Sequence, residues 1–249
     1  MFNLKLTPED KGWLSGEHPL LKIEENPSSV VISGGLEFEM IYEPVENHFL
    51  VFPPKNYKGK GVLIEDRYGI KIVVPKSISS DLPKVYAEGS RLIEVAKQKS
   101  LPIYDLHFSF DGSACLYVVG KEKEYFPNGF DFKIFINQLV IPFFYAQTYF
   151  QKFGKWPWGE YAHGIVGIFE WYNEQKIPNK SDVEQMLKRL RQSGEWGSIA
   201  ERFDKGNWIK GHSRCLCGSG EKIRNCHKAA LKGMWKFGKD LKKYEILKQ

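Results

Sequence analysis

Three cysteines and one histidine lie close together near the end of this 249-residue chain. Cys215, Cys217, Cys226 and His227 fall within thirteen positions. Three thiolates and one imidazole make a complete tetrahedral ligand set for Zn²⁺, with no coordination position left open for a reacting molecule. The spacing therefore predicts a structural zinc site rather than a catalytic one. His212, shortly before the first cysteine, is a weaker alternative to His227 as a ligand.

Glycines surround this predicted site. Gly218 and Gly220 bracket Ser219 directly after the second cysteine, and glycine reaches the positive φ angles of tight turns at little cost. So short a segment buries little apolar surface, and metal binding would supply much of its folding free energy, on the order of 10 kcal/mol. The alternative interpretation is a set of thiols that bind no metal.

The fourth cysteine, Cys115, lies far upstream in the segment His107-Phe-Ser-Phe-Asp111-Gly-Ser-Ala-Cys115. A single accessible thiol can act as a nucleophile when a neighbouring group lowers its pKa or removes its proton. His107 and Asp111 are candidates for that role. The alternative interpretation is a small buried apolar side chain on a strand, a common environment for a lone cysteine.

A further catalytic candidate is His163, in the segment Gly159-Glu160-Tyr-Ala-His163-Gly164. Two glycines around a glutamate and a histidine indicate a close approach of the backbone to another group. The imidazole could then assist the thiol of Cys115. The alternative is a helix start with Glu160 in the first turn, where the helix dipole favours a negative charge.

The first half of the sequence is typical of β-strands. Residues 36–42 alternate apolar and acidic side chains, which is the period-two pattern of a strand with one buried face. Strands are predicted at 29–32, 36–42, 48–52, 62–64 and 68–74, and the last two are expected to form a hairpin across Glu65-Asp66-Arg67. One face of the last strand is expected to hold Tyr68, Ile70, Ile72 and Val74. Short sequential strands with tight turns predict an antiparallel meander.

The second half of the chain has helical patterns. Residues 130–153 place aromatic and aliphatic side chains at helical spacing, and Pro142 is expected to kink or split this helix. A second helix is predicted at 160–174. A third is expected to begin with the capping box Ser181-Asp-Val-Glu184 and to end at Gly194. Strands followed by helices predict an α+β fold: an antiparallel β-meander with flanking helices, followed by a small C-terminal zinc module.

Charge is distributed unevenly along the chain, whose formal net charge is +6. The tail after His227 has seven lysines against Asp240 and Glu245, a net +5. This basic tail is expected to favour an acidic partner, either nucleic acid or an acidic protein surface, with a solvated helix face as the alternative.

Membrane and export signals are missing from the sequence. No apolar run approaches the roughly 18 residues needed to span a membrane. The N-terminus lacks the basic start and apolar run of a signal peptide. With cysteines of metal-binding type, these features lead us to expect a cytoplasmic protein.

The pattern Cys-x-Cys-Gly-Ser-Gly-x-Lys-x-x-x-Cys-His runs from Cys215 to His227 and includes Lys222. It resembles the SEC-C motif, a short zinc module found at the C-terminus of the bacterial secretion motor and appended to many other bacterial proteins. The resemblance covers only this short segment. It implies a structural, adaptor-like role in recruiting a partner or substrate.

The segment around Cys115 resembles the active site of the ubiquitin-conjugating (UBC) family. In that family a Gly-x-x-Cys-Leu turn presents the thioester-forming cysteine, and Gly112 and Leu116 fill the matching positions here. The segments 68–75 and 82–85 are similar to the third and fourth strands of the family. The resemblance implies a UBC-like fold with Cys115 as the catalytic residue.

The resemblance covers residues 30 to 175, with one departure. UBC enzymes have His-Pro-Asn upstream of the cysteine, and the position of its asparagine is His107 here. The imidazole of His107 would donate an N–H in place of the side-chain amide, or would act as a base toward an attacking amine. The departure is similar to that of divergent prokaryotic UBC-like families in bacterial ubiquitin-like conjugation and antiphage systems.

Together the resemblances imply a UBC-like domain at 1–178, a helical linker at 179–211, and a zinc module with its basic tail at 212–249. They imply a bacterial conjugating enzyme that carries a ubiquitin-like modifier as a thioester on Cys115. Its partners would be the modifier, the activating enzyme, and a protein substrate or adaptor recruited by the zinc module. Two alternatives stay open: a catalytically inert UBC-like or RWD-like adaptor, and a nucleic-acid-binding protein that uses the zinc module and basic tail.

Overall fold

The computed structural model describes residues 2–79, 81–118, 121–192, 196–204 and 209–246. The chain divides into two compact units, Met1–Tyr117 with Lys121–Gly159 and Val118–Gly120 with Glu160–Gln249. The first unit contains an antiparallel sheet and helices, and the second contains helices and the cysteine–histidine cluster. The expected combination of antiparallel sheet, helices and C-terminal cluster is confirmed. The domain division at residues 178 and 211 stays a prediction.

The first unit begins with helix α1 (Pro8–Glu17), which is absent from the elements predicted above. Thr7 and Asp10 form a capping box, in which the Asp10 N–H donates to the Thr7 hydroxyl at 3.1 Å and the Thr7 N–H donates to the Asp10 carboxylate at 2.8 Å. Pro8 suits the first helical position because its missing N–H would have no partner there. The helix start is therefore encoded locally, in four consecutive residues.

Five antiparallel strands form the sheet in the described part of the first unit. They are β1 (Leu21–Glu25), β2 (Ser29–Glu43), β3 (His48–Val51), β4 (Val62–Pro75) and β5 (Lys84–Glu88). The strand order is β1-β2-β4-β5, with β3 paired to β2. β1 and β3 share one edge of β2, at residues 30–34 and 40–43, and β4 covers the other edge along 29–42. β3 is thus an insertion in a four-stranded meander.

Strand β4 is a continuous strand of 14 residues, so the hairpin predicted across Glu65-Asp66-Arg67 is wrong. These residues lie in mid-strand and pair with residues 37–39 of β2. Glu65 and Arg67 are exposed, and Asp66 shares the other face of the strand with the apolar residues. That face is buried as predicted at Tyr68, Ile70, Ile72 and Val74.

Helical segments follow the sheet in the first unit. They are α2 (Arg91–Gln98), a 3₁₀ turn (Ile103–Leu106), α3 (Glu122–Tyr125), α4 (Phe132–Phe135), a π-helical turn (Ile136–Val140) and α5 (Ile141–Phe153). The predicted helix at 130–153 is interrupted near Pro142, as expected. The irregularity is a π turn that ends just before α5, because Pro142 has no N–H to donate to the preceding turn.

Helix α5 packs on the buried face of the sheet. The rings of Phe144 and Tyr68 lie 4.8 Å apart between centroids. The Tyr145 hydroxyl donates to the Val62 carbonyl oxygen at 2.6 Å. Aromatic side chains in offset contact, together with their buried area, make this helix–sheet contact the main apolar core of the first unit.

A partly buried ion pair joins β4, α2 and α5. The Arg91 guanidinium donates to both Asp66 carboxylate oxygens, at 2.9 and 2.7 Å, and the Thr148 hydroxyl donates to the same carboxylate at 2.5 Å. Arg91 also lies over the Tyr68 ring, 4.2 Å from its centroid, and donates to the side-chain oxygen of Gln151 at 2.9 Å. Burial raises the pKa of the Asp66 carboxyl, but the hydrogen bonds from Arg91 and Thr148 outweigh it and hold that pKa below its ordinary value.

The second unit contains α6 (Gly164–Glu174), α7 (Lys180–Gln192), α8 (Gly197–Asp204), α9 (Ile223–Cys226) and α10 (Lys228–Lys243). α6 and α10 approach closely at Gly233, where an added Cβ would lie 1.8 Å from the Phe169 carbonyl oxygen. The Tyr172 hydroxyl donates to the Asp240 carboxylate at 2.8 Å across the same pair of helices. Only glycine permits this helix spacing.

The start of α7 differs from the prediction. A reciprocal pair of bonds links Asn179 and Asp182: the Asp182 N–H donates to the Asn179 side chain at 3.0 Å, and the Asn179 N–H donates to Asp182 at 3.1 Å. The capping box therefore lies upstream of the predicted Ser181-Asp-Val-Glu184, because an asparagine caps a helix as well as a serine does. The helix end predicted at Gly194 lies outside the described residues.

None of the helices in the described ranges has the length and apolar character that a membrane crossing requires.

We expect Asp66→Asn to lower the free energy of unfolding by about 2 kcal/mol, because it leaves the partly buried Arg91 without a charged partner. The folded-state pKa of Asp66 is depressed, so its contribution is present above the unfolded pKa of about 4 and is lost as pH falls through the folded value. Urea unfolding should therefore show a smaller difference between the two proteins near pH 2 than near pH 7.

Glu65→Gln is the matched control, since it removes a charge from the exposed face of the same strand. It should change the free energy of unfolding by less than about 0.5 kcal/mol. Equal losses in the two variants would show that the ion pair contributes no more than a surface charge.

Candidate metal centre and candidate thiol site

Cys215, Cys217, Cys226 and His227 form one cluster in the second unit. Their ligand atoms all lie within 4.8 Å of one another. Nδ1 of His227 is 3.2 Å from the Cys215 sulfur and 3.2 Å from the Cys226 sulfur, and the sulfurs of Cys217 and Cys226 are 3.5 Å apart. The four residues could bind a metal ion, as their spacing in the sequence predicts. His212 is exposed and lies outside the cluster.

Three of the six distances between ligand atoms are close to those around a tetrahedral ion. With metal–sulfur bonds of about 2.3 Å and metal–nitrogen bonds of about 2.0 Å, the edges of a tetrahedron are about 3.8 Å between sulfurs and about 3.5 Å between sulfur and nitrogen. The corresponding distances here, 3.5 and 3.2 Å, are slightly shorter. Small side-chain rotations would open the cluster enough for an ion.

Backbone turns bring the four ligands together. Gly218 and Gly220 have φ angles of +82° and +78°, a region that glycine adopts without strain. The Cys215 N–H donates to the Glu221 carbonyl oxygen at 2.7 Å and closes the loop. α9 ends in the third cysteine, and α10 begins directly after the histidine. The ligand set therefore connects one loop to two helices.

The cluster borders the apolar core of the second unit. Cys215 is 5% exposed and the neighbouring Ile223 is 0% exposed. Burial raises the pKa of the Cys215 thiol, whereas hydrogen bonds from Ser219 lower the pKa of the Cys217 thiol. A bound cation favours the thiolate form of the cysteines and the neutral form of the imidazole, so metal binding would release the protons that remain.

Cys115 lies in the first unit, in a segment that extends the sheet past β5. Ser113 forms an antiparallel bridge with Tyr86 of β5. The Cys115 N–H donates to the His107 carbonyl oxygen at 2.8 Å, so the structure places these two predicted residues side by side. Cys115 is exposed, which argues against a buried apolar side chain.

The turn before the thiol is organised by Asp111. The Lys84 ammonium binds one Asp111 oxygen at 2.6 Å, and the Ser113 hydroxyl and N–H donate to the other at 2.6 and 3.0 Å. Gly112 completes the turn with a φ of +80°. The hydrogen bond from Lys84 is the largest cause of a lowered pKa at this carboxyl, and the two bonds from Ser113 come next. Together they hold the pKa of the Asp111 carboxyl far below its usual range. So weak a base is a poor proton acceptor near neutral pH. Its role as a catalytic residue stays a prediction.

Ser109 is a polar neighbour of the thiol that the sequence analysis did not single out. Its Oγ lies 3.2 Å from the Cys115 sulfur. Phe108, between Ser109 and His107, forms an antiparallel bridge with Ala114, and this pairing brings the hydroxyl next to the sulfur. His107 has a positive φ, so strand alternation does not extend from it to Ser109. No local pattern in the sequence marks Ser109.

The surroundings of the Cys115 thiol raise its pKa. Partial desolvation is the largest cause, a hydrogen bond from Ser109 opposes it, and the negative charge of Asp111 adds to it. The thiol is thus exposed but mostly protonated near neutral pH. Any nucleophilic role needs a group that removes the proton or stabilises the thiolate.

The two predicted catalytic histidines lie in different units. The His107 ring packs edge-on against Trp156 in the first unit, 4.8 Å between centroids, and His107 has a φ of +60°. His163 is in the second unit and directly precedes α6, which begins at Gly164 rather than at Glu160. The helix-start interpretation therefore accounts for the position of His163. The catalytic roles of both residues stay predictions.

We expect iodoacetamide to modify Cys115 slowly near pH 7, with a rate that rises with pH to a midpoint above the ordinary thiol value of about 8.5. Ser109→Ala should raise this midpoint by about one pH unit, because the thiolate loses a hydrogen-bond donor. Mass spectrometry of the peptide that contains Cys115 gives the rate at each pH.

Ser109→Thr keeps the hydroxyl and serves as the control, so its midpoint should match that of the unmodified sequence. An unchanged midpoint in Ser109→Ala would mean that the serine does not stabilise the thiolate.

No protein-family model, no curated protein and no solved structure matches this chain. The functional interpretation therefore rests on the geometry of the cysteine–histidine cluster and of the Cys115 turn, together with their sequence motifs.

Proposed function

We propose that this protein is a conjugating enzyme that carries a ubiquitin-like modifier as a thioester on Cys115. One observation carries the proposal: an exposed thiol follows a tight glycine turn at the edge of the sheet, with a serine hydroxyl 3.2 Å from its sulfur. The Gly-x-x-Cys-Leu pattern at Gly112 to Leu116 supports it. The order of elements supports it in part, because an antiparallel sheet precedes the cysteine segment and helices follow it, as in the UBC family. Here α2 and the 3₁₀ turn are placed between the sheet and that segment.

The reaction would proceed in two balanced steps. The Cys115 thiolate attacks the carbonyl carbon of the modifier's existing thioester, and the donor thiolate leaves with its electron pair and takes up a proton. An amine then attacks the new thioester, loses a proton and forms an amide, while Cys115 departs as a thiolate and is reprotonated. Neither step oxidises or reduces any group, so the reaction needs no redox partner.

Each neighbouring residue has a role in this proposal. The Ser109 hydroxyl stabilises the thiolate at the start of the first step and at the end of the second. The His107 imidazole donates an N–H to the developing oxyanion or accepts the proton of the amine. Asp111 holds the turn through Lys84 and Ser113. His163 is the predicted residue with the weakest support.

An exposed aromatic side chain lies in the same turn as the thiol. Phe110 follows Ser109 and is fully exposed. A single exposed apolar side chain is common on protein surfaces and is not by itself a sign of a partner. The position of Phe110 beside the thiol is what makes it available to a bound modifier. Phe110 would give the modifier or its activating enzyme an apolar contact beside Cys115.

The second candidate is a catalytically inert adaptor with a UBC-like or RWD-like fold. The raised pKa of Cys115 favours it, because a protonated thiol is a weak nucleophile. In this case the protein would bind partners through its surfaces and its metal module alone. Thioester formation separates the two candidates.

The metal is proposed to be Zn²⁺, with a structural role. Three thiolates and one imidazole in tetrahedral arrangement are a preferred zinc environment, and redox-active iron–sulfur sites use four cysteines more often. Zinc bound there would offset two of the three thiolate charges. The four side chains would hold the loop, α9 and α10 together, and this rigid module would recruit a protein substrate or adaptor.

Purified protein should contain about one equivalent of zinc per chain, measured by inductively coupled plasma mass spectrometry. Cys217→Ser should lose most of the metal and lower the melting temperature by several degrees, because metal binding contributes to folding. His212→Ala is the control and should retain the metal. Zinc loss in His212→Ala, or iron in place of zinc, would contradict this assignment.

Incubation with ATP, the modifier and its activating enzyme should give an adduct that reducing thiols release. Cys115→Ala should give no adduct, and Cys115→Ser should give an ester that resists thiols because an oxygen ester exchanges slowly with them. Cys217→Ser controls for the other cysteines and should still form the adduct.

Two outcomes would overturn the enzymatic proposal. One is an adduct that persists in Cys115→Ala. The other is a wild-type protein that forms no adduct although iodoacetamide modifies Cys115, which is the result expected of the inert adaptor.

A further inference from the structure

The positive charge of the chain is concentrated in residues 209–246. This stretch has ten basic and three acidic residues, whereas the rest of the chain has 26 basic and 27 acidic ones. Nine of the ten basic residues are exposed, and the tenth, Lys236, is partly buried. We call residues 209–222, which precede α9, the cluster loop. This loop and α10 therefore form a strongly basic surface on a protein that is otherwise close to neutral.

The exposed face of α10 has a regular row of four lysines and one tryptophan. Lys228, Lys232, Trp235, Lys239 and Lys242 follow one another at spacings of four, three, four and three, which places them on one side of a helix. We call these five residues the lysine stripe. It runs about 21 Å along the helix. The opposite side of α10 is buried at Ala230, Leu231, Met234, Phe237 and Leu241.

Trp235 lies in the middle of the lysine stripe. Its indole N–H donates to the Ile209 carbonyl oxygen at 2.9 Å, and the residue is still 41% exposed. The bond holds the ring in place and keeps the start of the cluster loop next to α10. A held, exposed aromatic ring between cations is a platform on which a flat, electron-rich group can stack.

The acidic residue of α10 is turned away from the lysine stripe. The Asp240 carboxylate, in the same helix, accepts from the Tyr172 hydroxyl at 2.8 Å and is turned toward α6. In the cluster loop, Arg214 and Lys222 face each other in an antiparallel bridge. Like charges directly opposite one another destabilise such a pair. An anion bound beside them would remove that repulsion.

We propose that the lysine stripe, extended by Arg214 and Lys222, binds single-stranded nucleic acid. The lysines contact phosphates, and one base stacks on Trp235. Single strands are favoured over duplexes because their bases are free to stack, and over acidic proteins because the stripe has an aromatic ring and no exposed aliphatic side chain. This activity goes beyond the proposed conjugation chemistry and does not depend on Cys115.

The test is fluorescence anisotropy of the full-length protein with a labelled, mixed-sequence strand of about 20 nucleotides, as DNA and as RNA. Affinity should fall steeply with salt, because lysine–phosphate contacts release counterions. Lys232→Glu with Lys239→Glu should weaken binding by at least about tenfold and flatten the salt dependence. Lys58→Glu with Lys60→Glu makes the same charge change at exposed positions of the first unit, and should leave the affinity unchanged.

Substitutions of Trp235 test whether the protein distinguishes nucleic acid from other polyanions. Trp235→Ala should weaken binding about tenfold, and Trp235→Phe, which keeps a ring, should retain most of the affinity. Circular dichroism confirms that each variant is folded. Lys232→Gln with Lys239→Gln keeps good helix formers and should reproduce the loss from the glutamate pair if the charges are responsible.

Three results would overturn the proposal. Polyglutamate that competes as well as nucleic acid would identify a surface for acidic proteins. Duplex DNA that binds more tightly than the single strand would contradict the stacking on Trp235. An equal loss of affinity in the Lys58 and Lys60 control would mean that net charge, and not the lysine stripe, determines binding.

Discussion

The packing of the first unit depends on the hydrogen-bond partners of the Asp66 carboxylate. A charge on the buried face of a long central strand is unfavourable unless it has partners. Arg91 at the start of α2 and Thr148 in α5 supply them. The ion pair therefore ties both helices to the middle of β4, and it requires that the sheet and the two helices form together.

The position of the candidate thiol follows from the same two helices. α2 leads into the 3₁₀ turn that ends just before His107. In α5, Gln147 directly precedes Thr148, and its side-chain amide donates to the Leu106 carbonyl oxygen at 2.8 Å. His107 in turn accepts the backbone N–H of Cys115. A chain of short contacts thus leads from the Asp66 carboxylate to the thiol, although these residues lie far apart in the sequence.

The sequence was most informative where structure depends on neighbouring residues. The clustering of Cys215, Cys217, Cys226 and His227 could be predicted because thirteen consecutive positions contain all four. The buried face of β4 could be predicted because a strand alternates with a period of two. The error at Glu65-Asp66-Arg67 has the opposite cause. Three charged residues in a row are typical of a turn, and only Arg91 and Thr148, remote in sequence, make a strand possible there. Ser109 was missed for a related reason, since a hydroxyl shows no preference for a thiol until the backbone brings them together.

The close contact of α6 and α10 at Gly233 has a consequence for the metal centre. Because α10 begins directly after His227, the distance between the two helices also determines where the imidazole lies relative to the three sulfurs. A methyl group at position 233 would push the two helices apart. Because His227 lies about 9 Å away along the axis of α10, this displacement would also move the imidazole. The arrangement of the four side chains would therefore depend on the packing of α6 against α10. A metal ion with a visible absorption spectrum, bound by the cluster, would detect a substitution of Gly233 although it makes no contact with that residue.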